Sequence, residues 1–419
     1  MKKVACPIAA KVLLPACAAL VAVAIVLISA SPASTQTPAL KDKFKDSFLV
    51  GAALNSSQFT EQDARGAALI KAQFNTITPE NVLKWERVHP EPGNYSFDLP
   101  DRYVAFGEKN HMFLIGHCLL WHNQTPKWVF LDDKGNPLDR EALLKRLQDH
   151  IHTVVGRYKG RVNGWDVVNE ALEEDGTLRQ TPWLKIIGPD YLAKAFEFAR
   201  EADPRAELYY NDYNIESEAK LRGALDLLRK LQAQGVPVTG VGIQGHYHMD
   251  APTNEQVEAA ISAFGKLGLK VMFTELDVDV LPLAFQYMGA DVTLSAELQP
   301  KLNPYPKELP DSVQQLLAQR YAGLFAVFVK HPGTLSRVTF WGVTDADSWL
   351  NNWPVKGRTN YPLLFDRNAQ PKPAFDAVIR AAKPALAWDL STVSLHRFLA
   401  SLFPCIMEVL SPIHREAKS

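Results

Sequence analysis

From about Phe44 to Lys383, short runs of apolar residues alternate with longer stretches in which apolar positions return every three or four residues. That alternation predicts parallel strands joined by amphipathic helices. Eight runs read as strands: Leu49 to Ala53, Thr76 to Thr78, Met112 to Gly116, Gly164 to Val168, Glu207 to Tyr210, Val241 to Gln244, Lys270 to Thr274 and Ser336 to Trp341. Eight β/α units in ~340 residues predict an α/β fold, a single eight-stranded parallel β/α (TIM) barrel with a few enlarged loops.

The helical stretches are readable as well. Leu143, Leu147, Ile151 and Val154 form one stripe, with Lys145, Arg146, Gln148 and Asp149 on the other face, the pattern of a helix packed on a sheet. Leu221, Leu225, Leu228 and Leu231 form a second stripe after the fifth strand, and Val257 to Leu267 a third after the sixth. All three are expected in the core. Pro282 to Pro310 loses the rhythm and reads as a long loop shaping a cleft, followed by a helix from near Asp311.

The two ends of the chain differ from the middle. Lys2 and Lys3 precede the apolar stretch Val12 to Ile28, and small residues follow from Ser29 to Ser34, the three-part layout of a secretory signal. Residues 1–33 are therefore expected to be a cleaved signal peptide, the protein secreted or periplasmic, and no stable membrane association is expected once the signal is removed. An uncleaved anchor is the weaker reading, because the stretch falls short of the ~20 residues of a spanning helix. Leu14-Pro-Ala-Cys17 only loosely resembles a lipoprotein cleavage box, against which Pro15 argues. Residues 384–419 form a tail whose apolar segment, Leu395 to Leu410, is interrupted by Pro404; it reads equally as an added helix or an unordered end.

Composition removes several classes of function. With 419 residues, 47% of them hydrophobic and a formal net charge of −1, the chain can bury a large core. It has no basic footprint for nucleic acid. Cys6 and Cys17 lie in the signal region, leaving Cys118 and Cys405, so no disulfide framework and no CxxC zinc site is supported. Gly240-Val-Gly-Ile-Gln-Gly245 fits the dinucleotide pattern GxGxxG, but its glycines fall inside a strand, no helix opens after it, and Gly265 stands where an acid is needed. His117, His122, His246 and His248 raise the idea of a metal cluster; His246 and His248 are expected to point to opposite sides of an extended segment, and no metal is expected.

What remains is a ring of polar and aromatic residues at the strand ends. Glu170 closes Trp165-Asp-Val-Val-Asn-Glu and Glu275 follows Val271-Met-Phe-Thr. A carboxylate at the end of a buried strand is costly unless hydrogen-bonded or functional, and two of them suit glycosidic bond cleavage. Around them fall Asn55, Glu80, Asn81, Lys84, Trp85, His117, Trp121, His122, Asn211, Tyr213, Asn214, Gln244, His246, Trp341 and Trp349. Sugar hydroxyls need donors and acceptors, and pyranose faces stack on indoles. Taken singly, each has a bland reading: a rim salt bridge for either glutamate, solvated polars for Asn81 and Lys84, core aromatics for Trp121, Trp341 and Trp349.

Over residues 44–383 the chain resembles glycoside hydrolase family 10, the endo-β-1,4-xylanases, through Glu80-Asn-Val-Leu-Lys-Trp85, Gly116-His-Cys-Leu-Leu-Trp-His122, Trp165-Asp-Val-Val-Asn-Glu170, Gly242-Ile-Gln-Gly-His246, Thr274-Glu-Leu-Asp277 and Trp341-Gly-Val-Thr-Asp345 in the family's order. The resemblance implies that Glu170 is the acid/base and Glu275 the nucleophile. It also implies that Asn169 contacts the sugar 2-hydroxyl and that His246, held by Asp277, bears on the nucleophile. Glu80, Asn81, Lys84, His117, Trp121, Gln244, Trp341 and Trp349 match positions lining the glycone side; Asn211 and Tyr213 are also expected to bind substrate. Cys118 stands where threonine is common in the family. The implied partner is xylan or a xylo-oligosaccharide, with no cofactor, and the protein is expected to be a monomer. Retention requires carboxyl groups ~5 to 5.5 Å apart and a Glu170 that starts protonated beside an ionised Glu275. Two rival readings are another endo-acting β-glycanase of the same barrel clan and a carbohydrate-binding protein on an inactive barrel.

Overall fold

A computed structural model of the chain describes residues 38–282 and 301–382. The signal expectation for 1–33, the tail 384–419, most of the loop after Pro282, and Cys6, Cys17 and Cys405 lie outside the described residues. Among the described residues there are nine strands: β1 (Leu49–Leu54), β2 (Thr76–Pro79), β3 (Phe113–Leu120), β4 (Gly164–Asn169), β5 (Glu207–Asp212), β6 (Gly240–Ile243), β7 (His246–His248), β8 (Lys270–Asp279) and β9 (Leu335–Phe340). All pairings are parallel; β1 to β6 pair in sequence, and β6–β8, β8–β9 and β9–β1 close the barrel.

Eight of the strands form the barrel, as expected; β7 is an addition. It continues past Gly245, whose φ of +81° lies where side chains rarely go, and pairs with the far end of β8 at His246↔Asp277 and His248↔Asp279. Three strands outrun their expected ends by more than a single residue: β3 reaches Leu120, β5 Asp212 and β8 Asp279. His117, Asn211, Glu275 and Asp277 therefore sit inside strands. Register shifts fall between His117 and Leu120, Asp166 and Val168, and Phe273 and Leu276. Such irregularities re-aim side chains, and here they flank the polar positions at the C-terminal mouth.

The helical pattern decides the outer layer. Helix Arg140–Arg157 begins with Asp139, whose carboxylate accepts from Ala142 N, and buries Leu143, Leu147, Ile151 and Val154 completely. Each such side chain contributes about 1.5–3 kcal/mol of burial. Helix Asn254–Gly265 starts in a capping box of Thr253 and Gln256 and buries Val257, Ala260, Ile261 and Phe264. Helix Asp311–Phe328 opens where expected. Helix Glu218–Ala233 corrects the expected stripe: Lys220, Ala224, Leu228 and Leu231 are buried, while Leu221 and Leu225 are only partly so. The cause is Lys220, fully buried, whose ammonium lies 3.0 Å from Asp212 and 3.6 Å from the Tyr213 ring centre and turns its own face inward.

The packed unit also starts earlier than Phe44. A four-residue helix, Leu40–Lys43, seats a fully buried Leu40 whose N–H donates to Gln73 Oε1 at 2.9 Å. A helix that short carries no visible period, so the sequence pattern misses it.

Candidate active site

The C-terminal ends of the strands surround a cleft of about 960 Å³, the face where barrels of this kind keep their chemistry. Glu170 and Glu275 both line it. Glu170 is the residue after β4 and takes φ +57°, an uncommon conformation for a residue with a side chain. Its N–H donates to Asn211 O at 2.9 Å and its carbonyl accepts from Arg179 Nε at 3.1 Å, which hold that turn. Its carboxylate accepts from Trp121 Nε1 at 2.8 Å on Oε2, and from Gln244 Nε2 at 3.0 Å and Asn169 Nδ2 at 3.2 Å on Oε1.

Glu275 is 5% exposed. Its Oε1 accepts from Asn211 Nδ2 at 2.9 Å and its Oε2 lies 3.2 Å from His246 Nε2. Asn211 Nδ2 also donates to Asn169 Oδ1 at 2.8 Å, so Asn169 and Asn211 link the two carboxylates by a chain of amide hydrogen bonds. Burial opposes the charge on Glu275, but the hydrogen bond from His246, the positive charge of the nearby histidines and the Asn211 amide hold its pKa below the usual carboxylate range. His246 reaches back through Nδ1 to Asp277 Oδ1 at 3.0 Å. Burial works against its positive charge; the Asp277 and Glu275 carboxylates outweigh that and raise its pKa to about 10. Asp277 in turn accepts from Trp349 Nε1 at 2.8 Å on its other oxygen.

One flank of the cleft is basic and aromatic. Lys84 Nζ donates to Asn81 Oδ1 at 3.1 Å and lies 5.1 Å and 5.9 Å from the ring centres of Trp121 and Trp341. His117 Nδ1 is 2.9 Å from Asp166 Oδ2, both side chains buried, and its ring meets Trp341 edge-on at 5.5 Å. Burial pushes the Glu80 carboxyl up, with Lys84 opposing and Asp347 adding to the rise. On the opposite flank the Tyr213 hydroxyl accepts from Arg179 Nη2 at 2.9 Å. Polar side chains set between indole faces suit a neutral polyhydroxylated ligand.

Of the residues singled out from sequence, Glu80, Asn81, Lys84, His117, Trp121, Asn169, Glu170, Tyr213, Gln244, His246, Glu275, Asp277, Trp341 and Trp349 line this cleft together. Asn211 does not. It has no solvent exposure and sits behind the carboxylates, so it positions them and is out of a ligand's reach. His246 and His248 both line the cleft, correcting the expectation that they face opposite ways: positions two apart in a strand share a face. Among the described residues no group of three or more His, Cys, Asp or Glu is arranged to hold a metal ion. Cys118 is free and buried, and burial pushes its thiol up.

Three contributors were not read from the sequence. Thr274 donates to Asn211 Oδ1 at 2.6 Å and so fixes which way that amide points; its place beside Glu275 was the available signal. Arg179, from the loop after β4, braces Glu170. Trp353 stacks on Trp349 at 4.8 Å and lines the cleft with Pro354; only its spacing of four from Trp349 hinted at it.

The chain is similar to known proteins over most of its length. The chain is 43% identical to endo-1,4-beta-xylanase A of Xylanibacter ruminicola over 356 residues, covering 85% of this chain and 96% of the relative. It is 41% identical to a beta-1,4-xylanase of Dictyoglomus thermophilum, covering 82% and 91%. Among solved structures, a GH10 endoxylanase retrieved from a sugarcane soil metagenome superposes with a TM-score of 0.78 at 44% identity, covering 83% of this chain and all of that one. The family profile described as glycosyl hydrolase family 10 matches residues 39–381, a span that contains the whole barrel and both glutamates, and the chain belongs to that family.

Proposed function

We propose that this protein is an endo-1,4-β-xylanase that cleaves internal β-1,4-xylosidic bonds of xylan with retention. The observation that carries the reading is the pair Glu170 and Glu275, tied through Asn169 and Asn211 in one cleft but held in different electrostatic settings. Glu275, kept ionised by His246 and Asn211, is the nucleophile. Glu170 is the acid/base. In the first step Glu275 attacks C1, the C1–O bond to the leaving sugar breaks, and Glu170 gives its proton to that oxygen. A covalent glycosyl-enzyme forms and the negative charge of Glu275 is gone. Glu170, now ionised, takes a proton from water as the water oxygen attacks C1, and Glu275 leaves as carboxylate. Two inversions give net retention. The two carboxylates supply both steps, so no cofactor is required.

Asn169, bonded to Glu170 and linked to Glu275 through Asn211, meets the sugar 2-hydroxyl in this reading. Glu80, Asn81, Lys84, His117, Trp121, Gln244, Trp341 and Trp349 form the glycone side and Tyr213 the opposite side. Xylose lacks the 5-hydroxymethyl group of glucose, and a rigid Trp349, anchored on Asp277, selects xylose if it covers that position. The catalytic unit spans residues 44–383 together with the short helix at Leu40. Residues 1–33 direct export, and the enzyme works as a secreted or periplasmic monomer. The relatives bearing xylanase names over nearly their whole length support the polymer.

The test is reducing-sugar release from xylan, with cellulose as the control polymer and Glu275→Ala beside the wild type. The expected result is release from xylan, little from cellulose and none from the variant. An inactive wild type that still binds xylan would return the molecule to a binding role. Proton NMR of the first-formed anomer checks retention; an α product overturns it.

A further inference from the structure

The barrel has a second opening, at the N-terminal ends of its strands. A pocket of about 210 Å³ lies there. Leu49, Phe113, Glu207 and Lys270, each the first residue of its strand, line it together with Tyr209 and Arg337. It is at the opposite end of the strands from the catalytic cleft, and no step of the hydrolysis uses it.

Arg337 sets its chemistry. The residue is 2% exposed, and its Nε and Nη2 find no hydrogen-bond acceptor among the described residues. Its guanidinium carbon lies 5.3 Å from the Tyr209 ring centre, a contact that favours a cation but does not neutralise it. The carboxylate that lines the pocket is already engaged: Glu207 Oε1 accepts from Lys270 Nζ at 2.7 Å and Oε2 from the Tyr209 hydroxyl at 2.9 Å. Glu207 and Lys270 cancel, which leaves the charge of Arg337. A buried guanidinium without a counter-charge is costly, and a planar, permanently charged fork is well matched to anions.

We propose that this mouth binds a small inorganic anion, with Arg337 as its principal ligand. The volume admits a halide with water or an oxyanion the size of phosphate, each water taking roughly 30 Å³. Occupancy would stabilise the folded barrel by mass action, since the unfolded chain has no such site. It joins the starts of β5, β8 and β9 through one charge.

The experiment is thermal unfolding of the full chain at constant ionic strength, replacing sodium gluconate stepwise by sodium chloride and, separately, by sodium phosphate. The expected result is a saturable rise in Tm with at least one of the two that disappears in Arg337→Met. Glu207→Gln, which keeps Arg337 and removes the local negative charge, is expected to lower the half-saturating concentration roughly threefold or more by weakening repulsion. That second variant decides the matter if Arg337→Met does not fold. A Tm that is insensitive to both anions, a response that does not saturate, or a half-saturation unchanged or raised in Glu207→Gln overturns the proposal and leaves a mouth filled by water alone. The kcat and KM of Glu207→Gln on xylan are expected to match the wild type.

Discussion

Asn211 Nδ2 donates to Glu275 Oε1 at 2.9 Å from a side chain with no solvent exposure. An amide so placed acts on a carboxylate without meeting the ligand. Thr274 Oγ1 holds its carbonyl oxygen at 2.6 Å, which commits the NH2 group to Glu275 and Asn169.

Replacing Asn211 by alanine removes a hydrogen bond that favours the ionised carboxylate and frees Asn169 to rotate. The expected outcome is a fall in kcat of roughly 10- to 1000-fold with KM nearly unchanged, as for loss of a preorganised donor. Steady-state kinetics on xylo-oligosaccharides check it; a raised KM with intact kcat would place Asn211 in direct contact with substrate.

The acid limb of the pH profile should report Glu275. Its pKa is held below the usual carboxylate range by His246 and Asn211 against the cost of burial, so kcat/KM is expected to persist below the ordinary carboxylate pKa. In His246→Ala the same limb moves to higher pH, because burial then acts with less opposition. His246 has its own linkage: a folded pKa raised to about 10 means its contribution to stability is full below about 6.5, the free value, and is lost as pH rises through about 10. Denaturant midpoints measured from pH 6 to 10.5 should fall in wild type and change less in His246→Ala.

His89 and His150 carry the opposite sign. Their Nδ1 atoms are 3.2 Å apart in an aromatic stack with Trp85, 3.6 Å from the His150 ring. Burial, with Arg146 adding repulsion, pushes His89 down to about 4, and burial together with His89 holds His150 well below its free value. Both are thus favoured neutral in the fold. Their contribution is present above pH 6.5 and is lost as pH falls from there toward 4. Tm measured from pH 7 to 4 should drop steeply in wild type and less so in His150→Phe.

Gly116→Ala is expected to destabilise the barrel by about 2 kcal/mol or more, the range for forcing volume into a packed core. A Cβ there would sit 2.0 Å from the Trp165 ring, and Trp165 is fully buried. Urea unfolding monitored by tryptophan fluorescence checks this. An unchanged midpoint would mean that the neighbouring strand gives way freely.

The order of strands, the stripe on helix Arg140–Arg157 and the concentration of polar residues at one end of each strand were all legible in the chain. They follow from local periodicity, and a strand that must bury both faces cannot disguise its composition. The existence of the helix Glu218–Ala233 was legible but not its rotation, because the ion pair of Lys220 with Asp212 joins residues eight apart and outweighs the leucine stripe. Local pattern likewise put Asn211 among the cleft residues, since a polar residue at a strand end looks the same whether it faces a ligand or another side chain. Tertiary structure alone decided that Asn211 lies behind Glu275, that β8 carries on past Glu275 to Asp279, that β7 exists at all, and that Arg337 Nε and Nη2 meet no acceptor among the described residues at the other mouth. The physical reason is common to all four: burial and hydrogen-bond partnership are properties of pairs distant in sequence, and closing the barrel is what brings those pairs together.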